Sequence, residues 1–239
     1  MEKRFHYISV LPLQVVVLFV FFIVSVGGNR AITVLTETAP LEGRKCVIID
    51  AGHGGIDGGA TSCTGALESA INLEISLRLD DLLHLLGIDT YMIRKSDISV
   101  YTTGESIAAK KVSDLKQRVK IANEIQDPIL ISIHQNHFTD NRYSGAQIFY
   151  AATEGSAALA NKLQAAFIDT LNPMSKRKAK KADGIYLMQN IKCTGVLVEC
   201  GFLSNPKEEV LLCSDAYQKK VCCVIASTLS LYLHCDSVS

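Results

Sequence analysis

The sequence has little of several features that mark specialised protein classes. Its 239 residues include no Trp, and 24 Lys and Arg balance 24 Asp and Glu. A zero net charge argues against a nucleic-acid binder, which needs excess positive charge to neutralise phosphates. Eight Cys are too few for a disulfide-framework miniprotein, and no two of them form a C-x-x-C motif. The remaining composition is that of an ordinary folded domain with a short appendage.

Charge is missing altogether from the N-terminal segment. No Asp, Glu, Lys or Arg occurs in Phe5–Asn29, and 15 of the 19 residues in Ile8–Val26 are apolar. As a helix this run would be about 28 Å long, close to the thickness of a bilayer core. Lys3 and Arg4 precede it, which favours a cytoplasmic N-terminus and an exported remainder. We favour an uncleaved signal anchor over a cleaved signal peptide, because the run is long and lacks a good small-x-small cleavage site.

The rest of the chain predicts one folded domain. We expect residues 1–43 to form the membrane segment and a linker, and residues 44–239 to form the domain. The predicted strands are Cys46–Ile49, Asp89–Ile93, Ile129–Ile133, Ala146–Tyr150, Ile185–Met188 and Val196–Val198, and the predicted helices are Ser69–Leu86, Ser113–Ile125, Ser156–Thr170 and Asp215–Leu233. Strands that alternate with helices predict an α/β domain with a mostly parallel, mixed sheet and helices on both faces.

A glycine-rich loop follows the first predicted strand. Five of the sixteen glycines lie in Gly52–Gly59. The spacing matches neither the dinucleotide-binding motif G-x-G-x-x-G nor a P-loop, so phosphate binding is disfavoured. The loop does contain His53, and flanking glycines allow a sharp turn that leaves its imidazole open to a ligand.

Three further residues are expected to converge with His53. His134 and Glu199 each follow a predicted strand, and Glu68 opens the first predicted helix. Ligands of α/β sheets bind at the carboxyl ends of the strands. Two His and a carboxylate are the common ligands of a catalytic zinc, and a second carboxylate can act as base. Taken singly, each residue has an ordinary structural explanation. Glu68, for example, would stabilise the start of its helix through a favourable interaction with the helix dipole. Spacing leaves open which carboxylate is the ligand.

Several neighbouring features have competing interpretations. His137 lies three residues after His134 and is a candidate ligand, a supporting group or a surface residue. Asp57 is a candidate to orient His53 through a hydrogen bond. The basic run Lys176–Lys181 is typical of a solvated loop, with a binding patch as the alternative. Cys222 and Cys223 lie near Cys213 and Cys235, where an exported protein could form a bridge, although not between the adjacent pair.

Four motifs carry a family resemblance. They are, in chain order, VIIDAGHGGIDGGA at 47–60, ESAINL at 68–73, ISIHQN at 131–136 and VLVECGFLSN at 196–205. The chain from about residue 45 to residue 233 resembles the zinc-dependent N-acetylmuramoyl-L-alanine amidases of the type 3 family. The resemblance implies a mixed sheet flanked by helices, a zinc ion bound by His53, Glu68 and His134, and Glu199 as the catalytic residue.

The same resemblance implies a reaction and a setting. Zinc would polarise the amide carbonyl between the lactyl group of N-acetylmuramic acid and L-Ala, and Glu199 would take a proton from water and return it to the departing amine. Within the family the chain is most similar to germination-specific amidases of the spore cortex. This implies action on cortex peptidoglycan in a sporulating bacterium, on the way to muramic-δ-lactam. The N-terminal segment favours an exported enzyme that is membrane-anchored or secreted, and the sequence leaves open whether an accessory protein is a partner.

The alternatives are a vegetative cell-wall amidase and an inactive peptidoglycan-binding homologue. A zinc peptidase or a glycan deacetylase is a further alternative. The peptidase is disfavoured because carboxypeptidase-type sites place His and Glu two residues apart, whereas His53 and Glu68 are fifteen apart. The deacetylase is disfavoured because the sequence lacks the different pattern of further metal ligands that such an enzyme requires.

Overall fold

The computed structural model describes residues 45–236, so the predicted membrane segment and linker lie outside the described residues. The strands are β1 (Val47–Ala51), β2 (Thr90–Met92), β3 (Ile129–Asn136), β4 (Gln147–Tyr150), β5 (Lys180–Lys181) and β6 (Thr194–Phe202). The helices are α1 (Glu68–Leu85), α2 (Ile107–Glu124), α3 (Ser156–Thr170), α4 (Tyr186–Asn190), α5 (Pro206–Leu212) and α6 (Asp215–Asp236). Between residues 45 and 236, none of these helices combines the length and the hydrophobicity that a bilayer crossing requires.

The strands form one mixed sheet in the order β2-β1-β3-β6-β4-β5. Strand β1 runs parallel to β2 and β3, and β3 runs parallel to β6. Strand β4 is antiparallel to β6 and carries the short edge strand β5 in parallel. The centre of the sheet therefore consists of β1, β3 and β6, whose carboxyl ends meet at one edge.

Helices cover both faces of the sheet, as the alternating side chains of the central strands require. Ile49, Ile131 and Val198 point to a larger core that α1, α3 and α6 close. Ile48 and Leu130, one residue away in each strand, point to a smaller core under α2 and α4. The predicted α/β architecture with a mostly parallel, mixed sheet and helices on both faces is thereby confirmed.

Two predicted elements are wrong in kind or in position. The segment Ile185–Met188, predicted as a strand, instead starts the short helix α4, with Ile185 as its N-cap. A four-residue apolar run does not distinguish a strand from a buried helical turn. Helix α2 begins at Ile107 rather than near Ser113. Its N-cap is Ser106, whose hydroxyl accepts the N–H of Ala109 at 3.2 Å.

Two other elements were not predicted. The edge strand β5 pairs only two residues of the basic run, Lys180 and Lys181. Helix α5 follows β6 directly, with Asn205 as its N-cap and Pro206 in its first turn. Both are too short to produce a periodic hydrophobic pattern.

Candidate metal centre

The structure brings three sequence-predicted residues into one cluster. His53 comes from the loop after β1, Glu68 from the first residue of α1 and His134 from β3. Nε2 of His53 lies 3.2 Å from Oε1 of Glu68, and Nδ1 of His134 lies 2.9 Å from the same oxygen. The two imidazole rings meet edge to face, with their centroids 4.9 Å apart.

The register of the central strands explains this convergence. Ala51 pairs with Ile133, and the N–H of Gly52 donates to the carbonyl of Ile133 at 3.0 Å, so the glycine-rich loop starts beside His134. His134 in turn pairs with Glu199 across β3 and β6. The prediction that His134 and Glu199 lie just past the strand ends is wrong in detail, because β3 continues to Asn136 and β6 to Phe202.

Two glycines allow the close approach of loop and side chains. A Cβ atom on Gly52 would lie 2.2 Å from Nε2 of His134, and one on Gly59 would lie 2.6 Å from Oε2 of Glu68. His53 itself has a φ of 61°, in the left-handed region that non-glycine residues rarely adopt. The glycine-rich sequence thus serves to bring backbone against the cluster.

Asp57 orients His53. Its Oδ2 lies 2.9 Å from Nδ1 of His53, and its Oδ1 lies 2.8 Å from Nζ of Lys111 on α2. Burial opposes the charge on Asp57, but the hydrogen bonds with Lys111 and His53 outweigh it and lower its pKa to about 2. Because Nδ1 is occupied, Nε2 of His53 is the nitrogen presented to the cluster.

Glu68 is held as a carboxylate. Oε2 accepts the N–H of Ala60 at 2.9 Å, while Oε1 faces both imidazoles and accepts the N–H of Gln135 at 3.2 Å. Burial works against its ionisation, yet the hydrogen bonds with His134 and His53 hold its pKa well below the usual range of a glutamate. The charge of Glu68 is therefore present at neutral pH.

Glu199 has a different environment. Its Oε2 is buried and has no hydrogen-bond partner among the described residues. Burial raises its pKa, and the neighbouring His134 offsets only part of this effect, so the pKa is about 7. A carboxyl group with a pKa near neutrality can both accept and return a proton at physiological pH.

These residues fit a zinc ion. The ligand atoms of His53, Glu68 and His134 lie within 4.8 Å of one another. Two ligands at zinc distances of about 2.0–2.2 Å in a tetrahedral shell lie about 3.3–3.6 Å apart. The distances from Oε1 of Glu68 to the two imidazole nitrogens, 3.2 Å and 2.9 Å, are close to that separation. Two imidazoles and one carboxylate with an open side match a catalytic rather than a structural site. His137, by contrast, is exposed and is not a member of the cluster.

A buried arginine pair, which the residue pattern alone did not single out as functional, supports the loop. Arg118 of α2 pairs with Asp50 and donates to the carbonyl of His53 at 2.7 Å. Arg94, after β2, donates to the carbonyls of Ala51 at 2.8 Å and Gly52 at 3.0 Å. A guanidinium buried in a domain needs such partners. In the sequence, the only indication of this network was a charged residue, Asp50, within the first motif and directly after its apolar predicted strand.

A cleft of about 210 Å³ opens beside His53 and His134. The glycine-rich loop forms one wall, and the start of α2 and of α4 form the others, with Lys110, Leu115 and Tyr186 among the lining residues. The cluster is thus accessible from one side to a substrate that carries both polar and apolar groups.

A mostly parallel α/β domain with a His–Glu–His cluster at the carboxyl edge of its sheet, and a carboxyl group beside it, is the framework of a metal-dependent hydrolase. The chain belongs to the N-acetylmuramoyl-L-alanine amidase family, whose model matches residues 47–230. It is accordingly an N-acetylmuramoyl-L-alanine amidase of the zinc amidase family, and peptidoglycan is its substrate.

Three similar proteins support this assignment. The chain is 41% identical over 186 residues to the germination-specific N-acetylmuramoyl-L-alanine amidase of Bacillus subtilis, with 76% of each chain covered. It is similar to the CwlD amidase of Clostridioides difficile, solved in complex with the GerS lipoprotein, with 36% identity, a TM-score of 0.77, and coverage of 82% of this chain and 100% of that one. A second C. difficile amidase structure has 29% identity and a TM-score of 0.69, with 80% and 97% covered.

Proposed function

We propose that His53, Glu68 and His134 bind a catalytic zinc ion and that Glu199 is the catalytic acid–base. The observation that carries this proposal is the pairing of His134 with Glu199 across β3 and β6. It sets an unpartnered buried carboxyl oxygen beside a cluster whose ligand atoms lie within 4.8 Å of one another.

When bound, zinc supplies the Lewis acid that polarises the scissile carbonyl and activates water. The residues of the chain do the rest. Glu68 and the two imidazoles keep the ion in place, and Asp57 keeps His53 in the tautomer that presents Nε2. Glu199 takes the proton from the attacking water and delivers it to the departing amine of L-Ala. Glu68 cannot share that task, because both of its oxygens are committed to the cluster and to backbone N–H groups.

Two substitutions test this division of roles. We expect Glu199→Gln to retain stoichiometric zinc and to lose turnover by about 10²–10⁴-fold, since it removes the proton acceptor but not a ligand. His134→Ala should lose both zinc and activity. The measurements are metal content by mass spectrometry and release of stem peptides from purified peptidoglycan by the full chain. Exposed Glu154→Gln is the matched control. Equal zinc loss in the Glu199 and His134 variants would contradict the assignment.

We further propose that the substrate is the peptidoglycan of the spore cortex. The similarity to the germination-specific amidase of B. subtilis and to the CwlD structure supports this over a vegetative cell-wall role. The test is to compare the full chain on purified cortex and on vegetative peptidoglycan, with and without a chelator. Faster chelator-sensitive release of peptides from cortex is expected, and a preference for vegetative wall would refute the cortex role.

The proposal extends to where the enzyme acts in the cell. Enzymes that act on peptidoglycan work outside the cytoplasm, and we propose that residues 1–43 export the 44–239 domain and anchor it to the membrane. Alkaline extraction of membranes should leave the full-length chain in the pellet with its intact mass. A soluble chain that lacks its N-terminal segment would favour a cleaved signal peptide instead.

A protein partner is the last part of the proposal. The CwlD structure was solved in complex with a lipoprotein, which supports an accessory protein for this chain as well. The full chain should co-purify with an envelope lipoprotein from sporulating cells and show higher zinc content or turnover in its presence. Full activity of the chain purified alone would argue against the need for a partner.

A further inference from the structure

A cluster of aromatic and basic side chains lies beyond the catalytic edge of the sheet and has no part in the mechanism above. The Phe138 ring meets Tyr143 edge to face at 5.0 Å, and Tyr143 stacks on Phe202 at 6.2 Å. The guanidinium of Arg177 lies 4.9 Å from the centroid of the Phe202 ring. We call these four residues the aromatic–basic patch. Phe138 and Tyr143 are about half exposed, 50% and 48%, so the patch faces solvent.

Hydrogen bonds hold the patch rigidly. The N–H of Phe138 donates to Oγ of Ser204 at 3.0 Å, and Asn205 donates to the carbonyl of Tyr143 at 3.1 Å. Nε of Arg177 donates to the carbonyl of Ser144 at 3.1 Å. A cavity of about 540 Å³ opens next to these groups, lined by Tyr143, Asn172, Lys176 and Arg177 among others. The patch is therefore a preformed surface with an adjoining hollow.

The cation of the patch forms no ion pair with a described carboxylate. Within residues 45–236, none of the cations in the run Lys176–Lys181 forms an ion pair with a carboxylate. Arg177 lies within electrostatic range of Glu208, but both oxygens of Glu208 accept backbone N–H groups, from Gly145 and Phe202, at 2.8 Å each. A guanidinium held over an aromatic ring, with donors to spare, is suited to an external carboxylate.

The patch stands at a defined distance from the catalytic residues. Phe202 is three residues after Glu199 on β6 and pairs with Asn136, two residues after His134 on β3. The register shifts here, so that two residues of β3 lie beside three of β6. On the other side of β6, Gln147 of β4 pairs with Glu199. Oε1 of Gln147 accepts a hydrogen bond from Nη1 of Arg177 at 3.4 Å. At about 3.3 Å per strand residue, Phe202 lies about 7–10 Å along the strands from Glu199. An extended peptide of about two to three residues spans the same length.

We propose that the aromatic–basic patch binds a carboxylate of the stem peptide, about two to three residues from the scissile amide. The proposal rests on the proposed amidase site. The lactyl carboxyl group of N-acetylmuramic acid is consumed in the amide that the enzyme cleaves, so the free carboxylates of this substrate belong to the peptide. Arg177 pairs with that carboxylate, and Phe138 and Tyr143 cover the apolar part of the peptide and exclude water from the ion pair. The patch thereby selects stems that keep a distal carboxylate.

The test compares kinetics on matched substrates with the full zinc-loaded chain. One substrate is peptidoglycan with tetrapeptide stems, and the other is the same material with its carboxylates converted to methylamides. We expect the wild-type KM to be about tenfold higher on the amidated substrate. Arg177→Gln should raise the KM about tenfold on the native substrate, leave it unchanged on the amidated one, and keep kcat within twofold on both.

Two further variants keep the test decisive. Phe138→Ala removes an exposed ring and should raise the KM about threefold on the native substrate without lowering the melting temperature. Arg78→Gln removes the same charge from the α1–α6 surface, where Arg78 pairs with Asp215, and should leave the KM unchanged. An unchanged KM for Arg177→Gln, or an equal loss on both substrates, overturns the proposal. So does a KM that responds to added inorganic phosphate rather than to substrate carboxylates, which would indicate an anionic wall polymer as the occupant.

The experiment distinguishes failure of the proposed amidase function from failure of the proposal about the patch. If the wild type releases no peptide from either substrate, the proposed function fails, and the patch is then judged by calorimetric binding of the two substrates. Preferential binding of the native substrate that Arg177→Gln abolishes would sustain the patch, and equal binding of both would overturn it.

Discussion

At the scale of single residues, the candidate metal centre depends on places where the backbone must approach a side chain more closely than a Cβ atom allows. Gly52 lies against the ring of His134, and Gly59 lies against Glu68 and His53. Glycine is needed at these positions because it has no Cβ atom to collide with the cluster, and not only because its backbone is flexible. The glycine-rich loop could be identified from composition, but its contact with His134 depends on the pairing of β1 with β3.

Gly52→Ala should therefore disrupt the cluster. Its new Cβ would lie 2.2 Å from Nε2 of His134, so the ring or the loop must move. We expect loss of zinc and of at least 10²-fold in activity, because a displacement of about 1 Å at a catalytic centre has that effect. The measurements are metal content and peptide release.

Gly58→Ala is the matched control in the same loop. Its Cβ would meet only the flexible side chain of Leu67, at 3.3 Å. This variant should retain zinc and most of its activity. Similar zinc loss in the two variants would show that the loop is sensitive to any substitution and not to the contact with His134.

At the scale of elements, α2 stabilises the carboxyl end of β1. Its Arg118 pairs with Asp50 inside the domain and donates to the carbonyl of His53, the first sequence-predicted ligand. Because α2 packs on the face opposite α1, the loop with His53 is held from both sides of the sheet. Sequence periodicity placed a helix here but missed its first six residues, IAAKKV, because they are mostly exposed and add no repeat that faces the core. The cap is Ser106.

Asp50→Asn should destabilise the domain strongly. The substitution removes the buried carboxylate and leaves Arg118 with Asp114, 2.6 Å from its Nε, as its remaining charged partner. Breaking one side of a buried ion pair costs up to about 3–5 kcal/mol in the free energy of unfolding at neutral pH. Urea denaturation is the measurement. Exposed Asp81→Asn on α1 is the control and should change stability by less than about 0.5 kcal/mol.

The same pair predicts a pH dependence. Burial opposes the charge on Asp50, but Arg118 and the hydrogen bond from Ser132 outweigh it and lower its pKa below the ordinary 3.8. A lowered folded-state pKa contributes stability that is present above pH 4 and is lost as the pH falls through the folded pKa. Unfolding free energies of the wild type should therefore decline below about pH 4 more steeply than those of Asp50→Asn. Parallel pH profiles would contradict the role of this pair.

At the scale of the whole molecule, the C-terminal helix α6 returns to pack against α1, so the end of the domain closes the core over its first helix. The adjacent residues Cys222 and Cys223 show this packing directly. Cys222 is buried with its Sγ 3.3 Å from the carbonyl of Ile75, whereas Cys223 is exposed. The predicted divergence of the two side chains on one helix is thus found, and no bridge links the cysteines whose side chains are described.

These two cysteines report on global unfolding. Burial raises the pKa of Cys222 to about 12, so in the folded chain it is both inaccessible and protonated. Iodoacetamide at pH 7.5 should alkylate Cys223 within minutes, and Cys222 only at the rate at which the domain opens. Peptide mass mapping gives both rates in one sample, with Cys223 as the internal control.

Adding urea provides a second comparison of the two alkylation rates. The Cys222 rate should rise with urea as the global unfolding constant does, while the Cys223 rate stays nearly constant. Equal rates for the two cysteines in the absence of urea would contradict the packing of α6 on α1.

Local residue patterns were enough to place five of the six strands, the four long helices apart from the start of α2, the glycine-rich loop, and the four polar residues at one edge of the sheet. These features depend on hydrophobic periodicity and on residue type, and both can be recognised in a short segment of the sequence alone. The family resemblance added the expected roles of those residues, because its four motifs occur in chain order.

Only the tertiary structure brought these residues within contact distance. Glu68 and His134 are 66 positions apart, and Arg118 and Asp50 are 68 apart, so no local spacing encodes their contact. The aromatic–basic patch joins Phe202 at the end of β6 to residues from two loops, the one after β3 and the one before β5, in the same way. Short apolar runs such as Ile185–Met188 were also decided there, since packing against the sheet and not propensity makes them helical. Long-range contacts of this kind arise from strand register and helix packing, which only the folded chain defines.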